Sequence, residues 1–172
     1  MASFFVQSST VGVDLNNQST TALFAVGTHC FGTSDTEWVY IQANTSIIGQ
    51  SMVAYNTAFT GSMASGLDVV NGLPLACAQT SISSQAFGWV AVRGVNLSIL
   101  VTGTASVGAG TSQVALGASA ITTGVLDLAS VGTASCTLVG VQLQVTNSGS
   151  ASSGLALFTL TWPKAATPAF GG

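Results

Sequence analysis

Charge is what this sequence has least of. Five acidic and two basic residues ionise at neutral pH (Asp14, Asp35, Glu37, Asp68, Asp127, Arg93 and Lys164), 4% of the chain against about 25% in an ordinary globular domain. Nucleic-acid binding is excluded on that count, because phosphate contacts need Lys and Arg in number. Histidine is nearly absent too: His29 is alone, so one chain cannot assemble a metal site with two His ligands. The three cysteines, Cys30, Cys77 and Cys136, are odd in number and widely spaced, which fits buried free thiols in a reducing compartment rather than a disulfide framework. Mean hydropathy is positive, yet Gly, Ser and Thr interrupt the uncharged stretch 94–126 every few positions. No 18-residue apolar run exists for a membrane helix. Three Trp and two Tyr are too few for the aromatic girdles of a membrane barrel, so no membrane partner is expected. Met1–Val6 lacks the basic start of a signal peptide, and export by the standard route is not implied.

Catalytic patterns are missing as well. There is no Gly-x-Ser-x-Gly, and Gly108-Ala109-Gly110 lacks the third glycine or the lysine that phosphate loops require. His29 and Cys30 are adjacent, so in an extended segment they face opposite ways and cannot form a nucleophile and base. Asp35 and Glu37 could stand as a carboxylate pair, but lack the aromatic and polar neighbours of a sugar cleft. Asp127 reads as a turn cap, and Arg93 as half of an ion pair with Asp127 or Glu37. The expectation is a protein that is not an enzyme and carries no cofactor and no metal.

What is present is strand pattern. Ala76 to Gly94 sets a short apolar run, a Ser/Gln turn and the aromatic-rich run Phe87-Gly88-Trp89-Val90-Ala91-Val92 in a row, which reads as a strand pair at the heart of the fold. Glu37 to Ala43 is strongly β-prone, with Trp38 and Tyr40 opposite Val39 and Ile41, and both faces are expected to be covered. Ile47 to Tyr55 and Leu73 to Ala78 are further strand candidates, and short strands are expected near 113–116 and 120–122. Val95, Leu97, Ile99 and Val101 alternate over one dry face. Leu138 to Thr146 places Val139, Val141, Leu143 and Val145 together, and Leu155 to Trp162 answers with Ala156, Phe158, Leu160 and Trp162; Pro163 is expected to end that hairpin.

No amphipathic helix of twelve residues appears, so the fold class is all-β, a small β-sandwich or β-barrel with an extended N-terminal arm and irregular loops. The arm and first strand occupy 1–28, with Ala22–Val26 as the strand, the core 29–162 and a tail 163–172. Phe4, Phe5 and Val6 are the candidate interface arm. Trp38, Tyr40, Phe87, Trp89, Arg93 and Trp162 are the candidate core or ion-pair residues. A chain with so little charge has weak repulsion between copies, and its strand edges invite pairing with another chain.

Three stretches carry a resemblance. Gly32-Thr33-Ser34-Asp35-Thr36-Glu37-Trp38-Val39-Tyr40-Ile41-Gln42-Ala43, Phe87-Gly88-Trp89-Val90-Ala91-Val92-Arg93-Gly94 and Thr123-Gly124-Val125-Leu126-Asp127, with Val139-Gly140-Val141 after them, resemble the capsid decoration or cement proteins of tailed bacteriophages. The resemblance spans roughly 32–162. It implies a β-tulip-like domain on the outer capsid surface of a virion, made in the bacterial host cytoplasm, with the major capsid protein as partner and a homotrimer as the self-associated state. A phage tail or fibre component, and a carbohydrate-binding or adhesin β-domain using Trp38 or Trp89, are the alternative readings.

Overall fold

The computed structural model describes residues 4–5, 13–33, 35–65, 68, 71–102, 114–116, 124–127, 137–144 and 154–165. The fold is all-β. Its strands are β1 (Phe4–Phe5), β2 (His29–Phe31), β3 (Glu37–Ala43), β4 (Met52–Tyr55), β5 (Thr60–Met63), β6 (Leu75–Ala78), β7 (Phe87–Thr102), β8 (Val114–Leu116), β9 (Leu126–Asp127), β10 (Thr137–Leu143) and β11 (Gly154–Ala165). All join one mixed sheet.

The strand pair expected over Ala76 to Gly94 is there, as antiparallel β6 and β7. Yet β7 does not stop at the glycine. It runs for 16 residues, and its two halves close two separate rings. The first half pairs with β3 on one edge and β6 on the other, and β3, β5, β4, β6 and β7 pair in a closed circuit. The second half pairs with β11 and β9, closing a second circuit through β10 and β8. In each circuit only one pairing is parallel, β3 with β5 and β7 with β9.

A barrel of about eight strands is just wide enough to be filled by side chains, so a ring of five has a narrow interior that a few side chains fill. The first ring is filled by Val39, Ile41, Ala43, Val53, Tyr55, Ala76, Ala78, Val90 and Val92, with Ile47 and Ile82 alongside. Gly61 belongs to the same economy of space: a Cβ there would stand 2.8 Å from Ile41 Cδ1. The second ring is filled by Leu97, Ile99, Val101, Leu126, Leu138, Val141, Leu143, Phe158 and Leu160. The even-numbered face of β7 thus fills one ring and the odd-numbered face the other. The changeover falls at Gly94 and Asn96, whose φ angles are +146° and +59°.

Several expectations need correction, most of them because an irregularity resets the period of two. Trp162 was expected in the core with Phe158 and Leu160, but is 46% exposed. Opposite it on β10 stands Gly140, where a Cβ would come within 2.5 Å of the Thr161 carbonyl oxygen, and β11 bulges over 161–163 against that single residue. Trp162 takes a left-handed φ of +53° there and turns outward. The same bulge puts Val139 outside and Leu138 inside. It also accommodates Pro163, so β11 continues to Ala165. Val95 leaves the dry row because the chain turns over between Gly94 and Asn96. Ile47 makes only a bridge to Ile82 before a turn at Gly49–Gln50, and the strand begins at Met52. Ala22–Val26 runs as turns. Of the short strands, 113–116 appears as β8; 120–122 lies outside the described residues, as do Val145, Cys136 and 166–172.

Candidate functional site

Of the seven charged residues and the one histidine, four meet where β2, β3, β7 and β11 converge. Glu37 begins β3 and is buried; its Oε1 accepts from His29 Nδ1 at 2.9 Å. Arg93 lies opposite Glu37 in the β3–β7 register, but Glu37 is engaged by His29, and Arg93 pairs instead with Asp35. Neither partner expected for Arg93, Asp127 or Glu37, is the one it takes. Both side chains of the Arg93–Asp35 pair are well exposed, so it contributes about 0–1 kcal/mol. The Glu37–His29 bond matters more, since a buried carboxylate left unpaired is costly. The indole of Trp162 lies over His29, ring centres 5.8 Å apart.

This junction brings together residue types that can serve acid–base chemistry. Cys30, next to His29, points into the core, and burial pushes its thiol pKa up, away from reactivity. Cys77 is free and buried too, pushed up to about 12 by desolvation against a smaller opposing effect of the Gln79 amide. Among the described residues no group of three His, Cys, Asp or Glu is placed to hold a metal ion, and no helix is long and apolar enough to cross a membrane.

Four of the predicted aromatic residues gather on the outer face of the first ring, and Trp162 does not join them. Trp38, Tyr40 and Trp89 are buried and Phe87 is half-buried against them. Tyr40 and Trp89 have ring centres 5.0 Å apart, and Phe24 packs on both at 5.4 and 5.5 Å. Phe24 comes from a strap, residues 13–26, that crosses this face. Val13 and Leu15 pack on the core. Ser19 and Phe87 exchange backbone hydrogen bonds of 3.0 and 2.8 Å, the Ser83 N–H donates to Gln18 Oε1, and the Leu23 N–H donates to the Tyr40 hydroxyl at 3.2 Å. Between strap and sheet lies a cleft of about 170 Å³. Sequence reasoning missed the strap, because its polar run from Asn16 to Thr21 gives no periodic signal. The Trp38 indole N–H is buried without a hydrogen-bond partner among the described residues.

A third surface is the outer face of the second ring. Leu155, 55% exposed, lies opposite Leu100, and Leu157 lies opposite Ser98; Gln142 and Thr159 continue the row. Among the described residues no charged side chain stands within this row. Of the candidate arm, Phe4 and Phe5 pair in parallel with Cys30 and Phe31 of the same chain, and Val6 lies outside the described residues. No family model matches the chain, and no curated protein matches it.

Proposed function

We propose that this chain is a non-enzymatic structural protein of a bacteriophage virion, which decorates and cements the outer capsid surface by bridging major capsid protein subunits. The observation that carries the reading is the uncharged face of the second ring, with Leu155 and Leu157 exposed side by side among Ser98, Gln142 and Thr159. Burying what is still exposed of each leucine contributes about 1 kcal/mol, roughly half of the value for a fully exposed side chain, and such a face meets a protein partner without desolvating a charge. Exposed contiguous apolar area marks interaction surfaces. Modest contacts of this sort become effective when each copy bridges several subunits and many copies act in parallel. The motif resemblance over 32–162 supports the same reading, with a homotrimer as the self-associated state.

The test is the double variant Leu155→Glu/Leu157→Glu added to purified shells that lack the protein. Wild type should bind and raise the resistance of shells to heat. The variant, with unchanged far-UV spectrum and melting temperature, should not. Full binding by the variant would remove this face from the account.

A further inference from the structure

The cleft under the strap belongs to neither the charged junction nor the outer face of the second ring, and its chemistry is of a different kind. One wall is aromatic: Phe24, 37% exposed, presents its ring over the buried Tyr40 and Trp89 and packs directly on both, leaving no gap between rings for a cation, so the cleft is not a cage for a quaternary ammonium. The other wall is polar, formed by Asp14, Asn17 and Gln18.

The hydrogen-bonding groups left over on that wall can be counted. Asp14 Oδ1 accepts from the Asn16 N–H at 3.0 Å, which leaves its second oxygen as an acceptor. Gln18 Oε1 already accepts from the Ser83 N–H, so Gln18 offers chiefly its amino group. Tyr40 accepts from the Leu23 N–H, so its own proton is still to be donated. The Asn17 side-chain amide has no partner among the described residues. Donors and acceptors are thus mixed, as hydroxyl groups require. Among the described residues the only charge lining the cleft is the carboxylate of Asp14, which disfavours phosphates and acidic ligands. At about 170 Å³ the space falls below the ~300–1,000 Å³ of sites for drug-sized ligands. The strap is tied at both ends of the cleft, so the walls stand before any ligand arrives.

A ligand that suits this arrangement is small, neutral, apolar on one face and ringed with hydroxyls. We propose that the cleft binds one neutral pyranose ring, the terminal hexose of a glycan, its C–H face against the aromatic wall and its hydroxyls toward Asp14, Asn17 and Gln18. This goes beyond decoration of a shell and does not depend on it.

The experiment is a two-dimensional amide and indole NMR titration of the whole protein with the methyl glycosides of glucose, galactose and mannose, and with methyl glucuronide. At least one neutral glycoside should shift the Trp89 indole resonance saturably, and the glucuronide should bind at least tenfold more weakly because it meets Asp14. Asn17→Ala, a change at an exposed side chain, should lower the affinity at least tenfold with an unchanged melting temperature, and Asp14→Asn should narrow the gap between neutral and acidic sugars. No shift at Trp89 with any of the three, equal binding of the glucuronide, or an Asn17→Ala variant that binds like wild type would overturn the proposal. So would a proline-rich peptide shifting the same resonances while the glycosides do not.

Discussion

Replacing Gly94 with alanine strikes the point where β7 passes from one ring to the other. Two separable costs arise. The first is conformational: φ is +146°, outside the left-handed well that alanine tolerates, and such backbone costs about 1–3 kcal/mol in a residue with a side chain. The second is steric, since the new Cβ would stand 2.5 Å from Thr36 Cγ2 and 3.2 Å from Thr36 Cβ, and forced overpacking costs about 1–3 kcal/mol. Taken together, about 3–4 kcal/mol is expected. With a urea dependence of about 2 kcal/mol/M, that lowers the unfolding midpoint by about 1.5–2 M. The assay is urea unfolding followed by tryptophan fluorescence. Gly72→Ala supplies the reference: φ is +72° but nothing lies within 4 Å of the added carbon, so only a backbone cost of about 1–2 kcal/mol is expected. Thr36→Ser removes the clashing methyl while keeping the hydroxyl that donates to the Thr33 carbonyl at 2.8 Å. In the Gly94→Ala background it should recover about 1–2 kcal/mol, a coupling that independent sites do not show. If Gly94→Ala costs no more than Gly72→Ala, or Thr36→Ser recovers nothing, the ring junction is not packed as described.

Three further outcomes are expected. Phe158→Ala empties the second ring at a fully buried position and should cost about 3–5 kcal/mol, while Leu155→Ser on the outer face of the same strand should stay within about 0.5 kcal/mol; denaturant midpoints compare the two. His29→Ala strands the buried Glu37 carboxylate and should cost about 1–3 kcal/mol, whereas Asp35→Asn, which breaks the exposed pair with Arg93, should cost under about 1 kcal/mol. Burial raises Cys77 to about 12 from an ordinary 9.0, and raises Cys30 and Tyr55 as well. The unfolded thiols therefore release protons that the folded chain retains, so stability is present in full below about pH 9 and falls as pH climbs toward 12, by up to about 1.4 kcal/mol per unit for each group. Unfolding midpoints at pH 8 and pH 10.5 read it, and equal midpoints would mean the thiols are not buried in the native state.

The strands that sequence alone marked out best are those with an unbroken period of two. Glu37 to Ala43 reads as a strand because Trp38 and Tyr40 face one way and Val39 and Ile41 the other, and both sets are buried, since both sides of the first ring are covered. Leu155 to Leu160 keeps its period as far as the bulge. Trp162 defeats the pattern because alternation counted along one strand cannot see Gly140 on the next, and only that pairing shows where the bulge falls. The continuity of β7 through Gly94 was hidden for a related reason: a glycine after an aromatic run signals a stop, whereas here it lets one strand serve two rings. Arg93 and Asp35 are 58 residues apart, and no local rule selects that pair over Arg93 with Glu37. The cleft combines Asp14, Asn17 and Gln18 with Tyr40 and Trp89, and nothing in the spacing of those residues announces that they meet.

The reading as a decoration protein is tested most directly by counting. Quantitative protein composition of particles purified from the lysate in which the chain is made should give about one copy per major capsid subunit, and particles lacking the chain should be fragile. Absence of the chain from intact particles would contradict the account, and a few copies per particle would contradict it in favour of a tail or fibre component.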